Sequence, residues 1–188
     1  TGGSVRLPAA WCGIVGFMPT PGSISRAGVF ELSNSLDSVG VLTKSILDAT
    51  ILTNIISNKN NLLSLPNVQY GKKIGIAYNL FKHADDNITF IYDDIYHQLE
   101  KNGFYLKKIN EFDLKNYAAV QSIITVSEAY KKYKKYLNSK MQLGFYTRSR
   151  LSLGAFVTRE NYQDALIARK KCTDEFNSIM EHYDLMIL

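Results

Sequence analysis

Helical periodicity dominates the hydrophobic pattern of the chain. Apolar residues recur every three or four positions over several long segments, as they do along the buried face of an amphipathic helix. The predicted helices cover residues 43–57, 88–101, 114–137 and 161–183. Thr43 is expected to cap the first helix, and Asn102-Gly103 to end the second. For the last helix the expected cap is Thr158 or Asn161.

Short apolar or alternating runs between these helices predict strands. The predicted strands are residues 14–17, 73–78 and 104–109, with further extended pieces at 39–42 and 184–188. Residues 73–109 read as a strand, helix and strand unit, which in proteins is parallel and right-handed. The pattern therefore predicts an α/β fold. The polar loop at 58–61 and Pro66-Asn67 read as a linker within one domain.

Length and composition agree with a globular chain that has its own core. The 188 residues are 46% hydrophobic, and no apolar run approaches the length of a membrane span. The two cysteines, Cys12 and Cys172, are read as buried thiols of a reducing compartment, which predicts a cytoplasmic location. The three histidines are isolated in sequence and have no metal-ligand spacing, so we expect neither a metal nor another cofactor.

The net charge of +5 raises the question of an acidic partner, and its densest source is the segment 130–136. There four lysines alternate with tyrosines spaced three apart. One interpretation is a nucleic-acid contact, in which lysines bind phosphates and tyrosines stack on bases. The other is an amphipathic helix whose lysines face water. Helical spacing accounts for the whole pattern and favours the second interpretation.

The first residues, Thr1-Gly2-Gly3-Ser4, have the composition of a nucleophile loop. Two glycines allow a sharp turn in which several backbone N–H groups point into one small space and can bind an oxyanion. A serine hydroxyl beside such donors is well placed to attack a carbonyl carbon. The alternative is an ordinary glycine-serine loop. Pro8 suits the first turn of a following helix, and Gly13 suits its end.

A longer stretch resembles the amidase signature family. The family motif is matched by Gly2, Gly3, Ser4, Val5, Arg6, Pro8, Ala9, Cys12, Gly13, Gly16, Pro19 and Thr20. The continuation at 21–30, with Ser35-Leu36-Asp37 and Gly40, resembles the next block of the same family. Residues 71–188 keep the order of elements expected for bacterial amidases of this family, but their sequence agrees less closely with the family pattern. The resemblance implies an α/β fold with a mixed β-sheet flanked by α-helices.

The resemblance also implies a mechanism. Ser4 would be the nucleophile, and the backbone N–H groups of Thr1, Gly2, Gly3 and Ser4 would form the oxyanion hole. A neutral lysine would draw the proton of Ser4 through a second serine, because a serine hydroxyl is a weak nucleophile until a base takes its proton. Arg6 is expected to bridge backbone groups around the nucleophile loop, and Asp37 to hold the turn that follows.

In the family pattern, the lysine and second serine precede Thr1. We therefore interpret residues 1–188 as a central fragment of one amidase signature domain, cut at both ends and inactive alone. The expected reaction is hydrolysis of a small-molecule amide, with a homodimer left open.

A second hypothesis is the A subunit of a glutamyl-tRNA amidotransferase, working with a B subunit. Against it, Ser127-Glu128-Ala129 is followed by Tyr-Lys-Lys-Tyr instead of that subunit's Ser-Asn-Leu-Ala-Arg-Tyr-Asp-Gly. A third is a non-catalytic module that binds RNA through the lysine and tyrosine helix.

Overall fold

A computed structural model describes residues 2–57, 71–81, 84–109, 112, 114–137, 139 and 142–188. The helices in chain order are α1 (Arg6–Cys12), α2 (Ile46–Ile56), α3 (Asp86–Lys101), α4 (Lys115–Leu137), α5 (Phe145–Leu153) and α6 (Arg159–Met180). The strands are β1 (Val15–Phe17), β2 (Val41–Thr43), β3 (Lys73–Ile76), β4 (Tyr105–Lys108) and β5 (Leu185–Ile187). The α/β fold class is confirmed.

The chain divides into two compact units. The first unit comprises Thr1–Leu65 and Gln121–Leu166, and the second comprises Pro66–Val120 and Ile167–Leu188. The predicted linker at 58–67 lies outside the described residues.

A two-stranded antiparallel sheet organises the amino-terminal part of the first unit. Strand β1 pairs with β2 so that Val15 lies opposite Thr43. Helix α1 packs directly on β1 at Gly16, where an added Cβ would lie 2.6 Å from the Cβ of Ala9 and 2.8 Å from the carbonyl oxygen of Val5. The absence of a side chain at Gly16 therefore sets the spacing between α1 and β1. Gly13 ends α1 in the left-handed conformation, as predicted.

The predicted cap of α2 was wrong. Thr43 is the last residue of β2, and Ser45 caps the helix by accepting a hydrogen bond from the backbone N–H of Asp48 at 3.0 Å. The Ser45 hydroxyl in turn donates to the Asp48 carboxylate at 2.7 Å. A serine followed three residues later by an acid is a typical helix start. Thr43 is unavailable because its backbone pairs with Val15 in the two-stranded sheet.

The carboxyl-terminal part of the first unit is helical. Its core consists of Ala129, Tyr133 and Leu151, against which Tyr136, Leu137 and Leu143 pack. The tyrosine face of α4 therefore points into protein, as the amphipathic interpretation predicted, and Lys131, Lys134 and Lys135 are exposed. The apolar region at 150–157 is the end of α5 followed by a short 3₁₀ turn, Gly154–Phe156.

The second unit contains a parallel sheet in the order β4, β3, β5. Ile74 pairs with Leu106 on one side and with Leu185 on the other, so β3 is central and its Ile74 and Ile76 are buried. The predicted parallel strand, helix and strand unit is confirmed, with α3 as the crossover helix. Asn102 and Gly103 follow the end of α3 as predicted.

The two cysteines are less buried than the sequence predicted. Cys12 is exposed and Cys172 is half-buried, so the prediction of two buried thiols was wrong. Cys12 occupies the last position of α1, a short helix with Ala9 as its buried residue.

Thr158 accepts a hydrogen bond from the Asn161 backbone N–H at 3.0 Å, which makes Thr158 the cap of α6.

Candidate active site

The nucleophile loop is a tight turn that leads into α1. Gly2 has φ +65° and Gly3 has φ +102°, both in the region that favours glycine. The carbonyl oxygen of Gly3 accepts a hydrogen bond from the backbone N–H of Leu7 at 2.9 Å, which joins the turn to the helix. The sequence therefore needs two glycines here for conformational reasons. Thr1 lies outside the described residues.

Ser4 follows the two glycines and is exposed. Within the described ranges its hydroxyl has no hydrogen-bond partner. Successive N–H groups in a turn of this kind form a concave site that can bind an anion. The loop thus presents a hydroxyl together with the backbone of Gly2 and Gly3, and its use as a nucleophile site stays a prediction.

The two residues predicted to support the loop differ in what they contact. Arg6 is exposed, and none of the described residues accepts a hydrogen bond from its guanidinium. Its bridging role therefore stays a prediction. Asp37 accepts hydrogen bonds from the backbone N–H groups of Leu32 and Ser33 at 2.7 and 2.9 Å. These bonds hold the turn that precedes Asp37, and the predicted role of Asp37 in holding the turn that follows stays a prediction.

Sequence reasoning missed a half-buried carboxylate on α4. Glu128 accepts a hydrogen bond from the Ser33 hydroxyl at 2.6 Å, from the Ser35 backbone N–H at 3.0 Å and from the Tyr162 hydroxyl at 2.8 Å. The Ser33 side chain is completely buried. Glu128 therefore ties the loop at 33–35 to α4 and α6. The available signal was its position four residues after the buried Ile124, because an acid on the apolar face of a helix needs partners.

Hydrogen bonding keeps Glu128 charged. Burial raises the pKa of the carboxyl, but the hydrogen bonds from Ser33, Ser35 and Tyr162 favour the charged form and outweigh burial. The pKa of Glu128 therefore lies below its ordinary value. The loop at 33–35 is thus held by an ionised acceptor at neutral pH.

The ring of Tyr133 on α4 is occupied by protein contacts. Tyr133 stacks on Phe30 with ring centroids 5.2 Å apart, and its hydroxyl donates to the carbonyl oxygen of Glu31. Lys132 forms an ion pair with Glu31. The buried ring of Tyr133 cannot stack on a base, which removes part of the basis for the RNA-binding hypothesis.

A second concave region of the first unit holds no part of the nucleophile loop. This cleft has a volume of about 770 Å³ and is lined by residues that include Glu31, Glu128, Lys131, Arg159 and Tyr162.

The described ranges contain no cluster of three or more side chains suited to a metal ion. In the same ranges, no helix combines the length and apolar character needed to cross a membrane.

Curated relatives support the resemblance over the whole chain. The A subunit of glutamyl-tRNA(Gln) amidotransferase from a Nitratiruptor species is 32% identical and is aligned with 100% of this chain and 50% of its own length. The same subunit from Thermotoga maritima is 26% identical over 100% of this chain and 47% of its own length. The chain therefore spans about half the length of the curated relatives it matches.

Solved structures agree with the fold. A crystal structure of an amidase superimposes with a TM-score of 0.89 at 26% identity, covering 100% of this chain and 43% of that protein. The Thermotoga maritima amidotransferase A subunit superimposes with a TM-score of 0.75 at 27% identity, covering 99% of this chain and 44% of that protein. The model of the amidase family matches residues 1–188. The chain therefore belongs to the amidase signature family.

Proposed function

We propose that the protein carrying this chain hydrolyses a carboxamide through an acyl-enzyme intermediate on Ser4. The observation that carries the proposal is the exposed Ser4 hydroxyl directly after Gly2 and Gly3, whose positive φ angles make a turn suited to an oxyanion. Family membership across residues 1–188 supports the same chemistry.

The reaction proceeds in two halves. The Ser4 Oγ attacks the amide carbonyl carbon as its proton passes to a base, and the carbonyl oxygen takes the negative charge beside the loop N–H groups. The C–N bond then breaks, and the amine leaves with a proton. Water attacks the resulting ester, releases the carboxylic acid and restores the Ser4 hydroxyl.

The proposed reaction also needs a base that takes the proton of Ser4. In the family pattern, a lysine acts through a second serine, and both residues precede the position of Thr1. The match to half the length of the relatives is compatible with that arrangement. We therefore assign the activity to the longer protein and expect residues 1–188 alone to be inactive.

The test is Ser4→Ala in the full-length protein. Turnover of an amide substrate should fall by about 10³-fold or more, because the catalytic nucleophile is lost. Ser149→Ala is the matched control, since Ser149 is an exposed serine of the same unit outside the loop. Ser149→Ala should keep wild-type turnover. Unchanged turnover in Ser4→Ala would contradict the proposal.

A second candidate is an amidotransferase A subunit. It is favoured by the Nitratiruptor relative, which carries that description at 32% identity. Such a protein would use the same Ser4 chemistry and pass ammonia to a partner instead of releasing it. Co-purification of a B subunit with the full-length protein, and glutamine-dependent amidation by the pair, would favour this candidate over a free-standing amidase.

A further inference from the structure

A glutamine side chain lies against the nucleophile loop. The Nε2 of Gln121, on α4 in the first unit, is 3.5 Å from the position that a Cβ on Gly2 would occupy, and its Oε1 is 3.9 Å from the same point. The carboxamide of Gln121 therefore covers one face of Gly2 at van der Waals distance. The family motif in residues 2–20 gives no hint of this neighbour, because Gln121 is more than a hundred residues further along the chain.

The carboxamide is held in a defined orientation. The Gln121 Nε2 donates to the Thr125 Oγ1 at 2.8 Å, and the Thr125 hydroxyl donates to the Gln121 backbone oxygen at 2.8 Å. This closed pair of bonds fixes the side chain along one turn of α4. Within the part of the chain that the structure describes, the second Nε2 hydrogen and Oε1 have no partner.

An acyl group bound at the nucleophile loop would start close to Gly2, the residue against which the Gln121 carboxamide lies. A carbonyl oxygen held by the loop N–H groups brings the carbonyl carbon to the Ser4 Oγ, so the acyl chain starts within a few bond lengths of Gly2. The fixed Gln121 carboxamide has a free donor and a free acceptor, which can form hydrogen bonds with a polar group on the acyl chain. Beside an apolar acyl chain, the same donor and acceptor stay without a partner.

We propose that Gln121 is a specificity-determining residue that selects acyl groups bearing a hydrogen-bonding group close to the scissile carbonyl. The inference rests on the proposed Ser4 chemistry and adds the class of acyl group that this site accepts. Substrates of this class include short diamides and amides of polar amino acids, in contrast to amides of alkyl acids.

The test compares two substrates of nearly equal size in the full-length protein. Succinamide carries a second carboxamide where isocaproamide carries an isopropyl group. The Gln121→Leu substitution should lower kcat/KM for succinamide by about 10- to 100-fold, the loss expected when a hydrogen bond to the acyl group is missing. The value for isocaproamide should change by less than about 2-fold or rise.

The ratio of the two kcat/KM values is the decisive readout, because a purely structural role for Gln121 would lower both equally. An unchanged ratio overturns the inference. If Gln121→Leu does not fold, Gln121→Glu supplies the same test, since it keeps the size and the acceptor and removes the donor. Gln98→Leu is the control, because Gln98 makes the same kind of local bond, to Asp94 at 2.8 Å on α3 in the second unit.

Failure of the inference is distinguishable from failure of the proposed function. A fluorophosphonate that labels Ser4 in wild-type and Gln121→Leu protein shows an activated serine in both. Labelling together with an unchanged substrate ratio rejects the role of Gln121 alone. An unlabelled Ser4 in wild-type protein that still hydrolyses both amides rejects the Ser4 chemistry, and with it the inference.

Discussion

At the scale of single residues, the motif predicts the loop but not its surroundings. Ser4, Gly2 and Gly3 are adjacent in sequence, so their pattern alone indicates a turn that carries a hydroxyl. Gln121 reaches Gly2, and Glu128 reaches Ser33, only after α4 packs in the first unit. Glu128 contacts Ser33, 95 residues away in sequence. Such pairs depend on tertiary packing, which periodicity does not encode.

Glu128 gives a prediction on stability. The Glu128→Gln substitution replaces an ionised acceptor of three hydrogen bonds with a neutral amide. The free energy of unfolding of the full-length protein should therefore fall by about 1.5–3 kcal/mol at pH 7. Chemical denaturation measures the change. Glu100→Gln, at an exposed position of α3, should change it by less than about 0.5 kcal/mol.

The same pair of proteins has an expected pH dependence. Because the pKa of Glu128 is lower in the folded protein, the ionised form contributes stability that is complete above the ordinary glutamate value of about 4.3. That contribution is lost as the pH falls through the lower pKa of the folded state. The difference in free energy of unfolding between wild type and Glu128→Gln should thus become smaller in acid. A constant difference from pH 7 to pH 3 would contradict the assignment.

At the scale of elements, the helices follow the hydrophobic period while their caps follow the tertiary structure. The predicted helix at 114–137 agrees with α4 to within one residue. The error at Thr43 arose because β2 pairs Thr43 with Val15, a contact between segments that are distant in sequence. Ser45 was then the first residue free to cap α2. The start of a helix is therefore decided partly by what precedes it in space.

The packing of α1 on β1 gives an element-scale prediction. The Gly16→Ala substitution would place a methyl group 2.6 Å from the Cβ of Ala9 and 2.8 Å from the Val5 oxygen. The two elements must separate, and Val5 directly follows Ser4. We expect a loss of about 1–3 kcal/mol in the free energy of unfolding and a fall of about 10-fold or more in kcat/KM.

The control for that prediction is Gly144→Ala. A Cβ at Gly144 would meet nothing within 4 Å, so both quantities should stay close to wild type. Calorimetry and steady-state kinetics on the full-length protein measure them. A Gly16→Ala protein with wild-type stability and turnover would show that α1 and β1 need no close approach.

At the scale of the whole molecule, the sequence predicts the class of fold better than its topology. The strand and helix unit at 73–109 is local in sequence, and its parallel pairing was predicted correctly. The addition of β5 beside β3 joins Ile74 to Leu185, and nothing local specifies that pairing. The described strands form two small sheets, one antiparallel and one parallel, within the α/β fold that the resemblance implied.

The central claim is that Ser4 carries the acyl group during amide hydrolysis. The most direct measurement is mass spectrometry of the Ser4 peptide after rapid acid quenching of the full-length protein with succinamide. We expect this peptide to gain the mass of the succinamoyl group and the corresponding peptide of Ser4→Ala protein to show no such gain. Product formation with the acyl group on another residue, or wild-type turnover of succinamide by Ser4→Ala protein, would contradict the central claim.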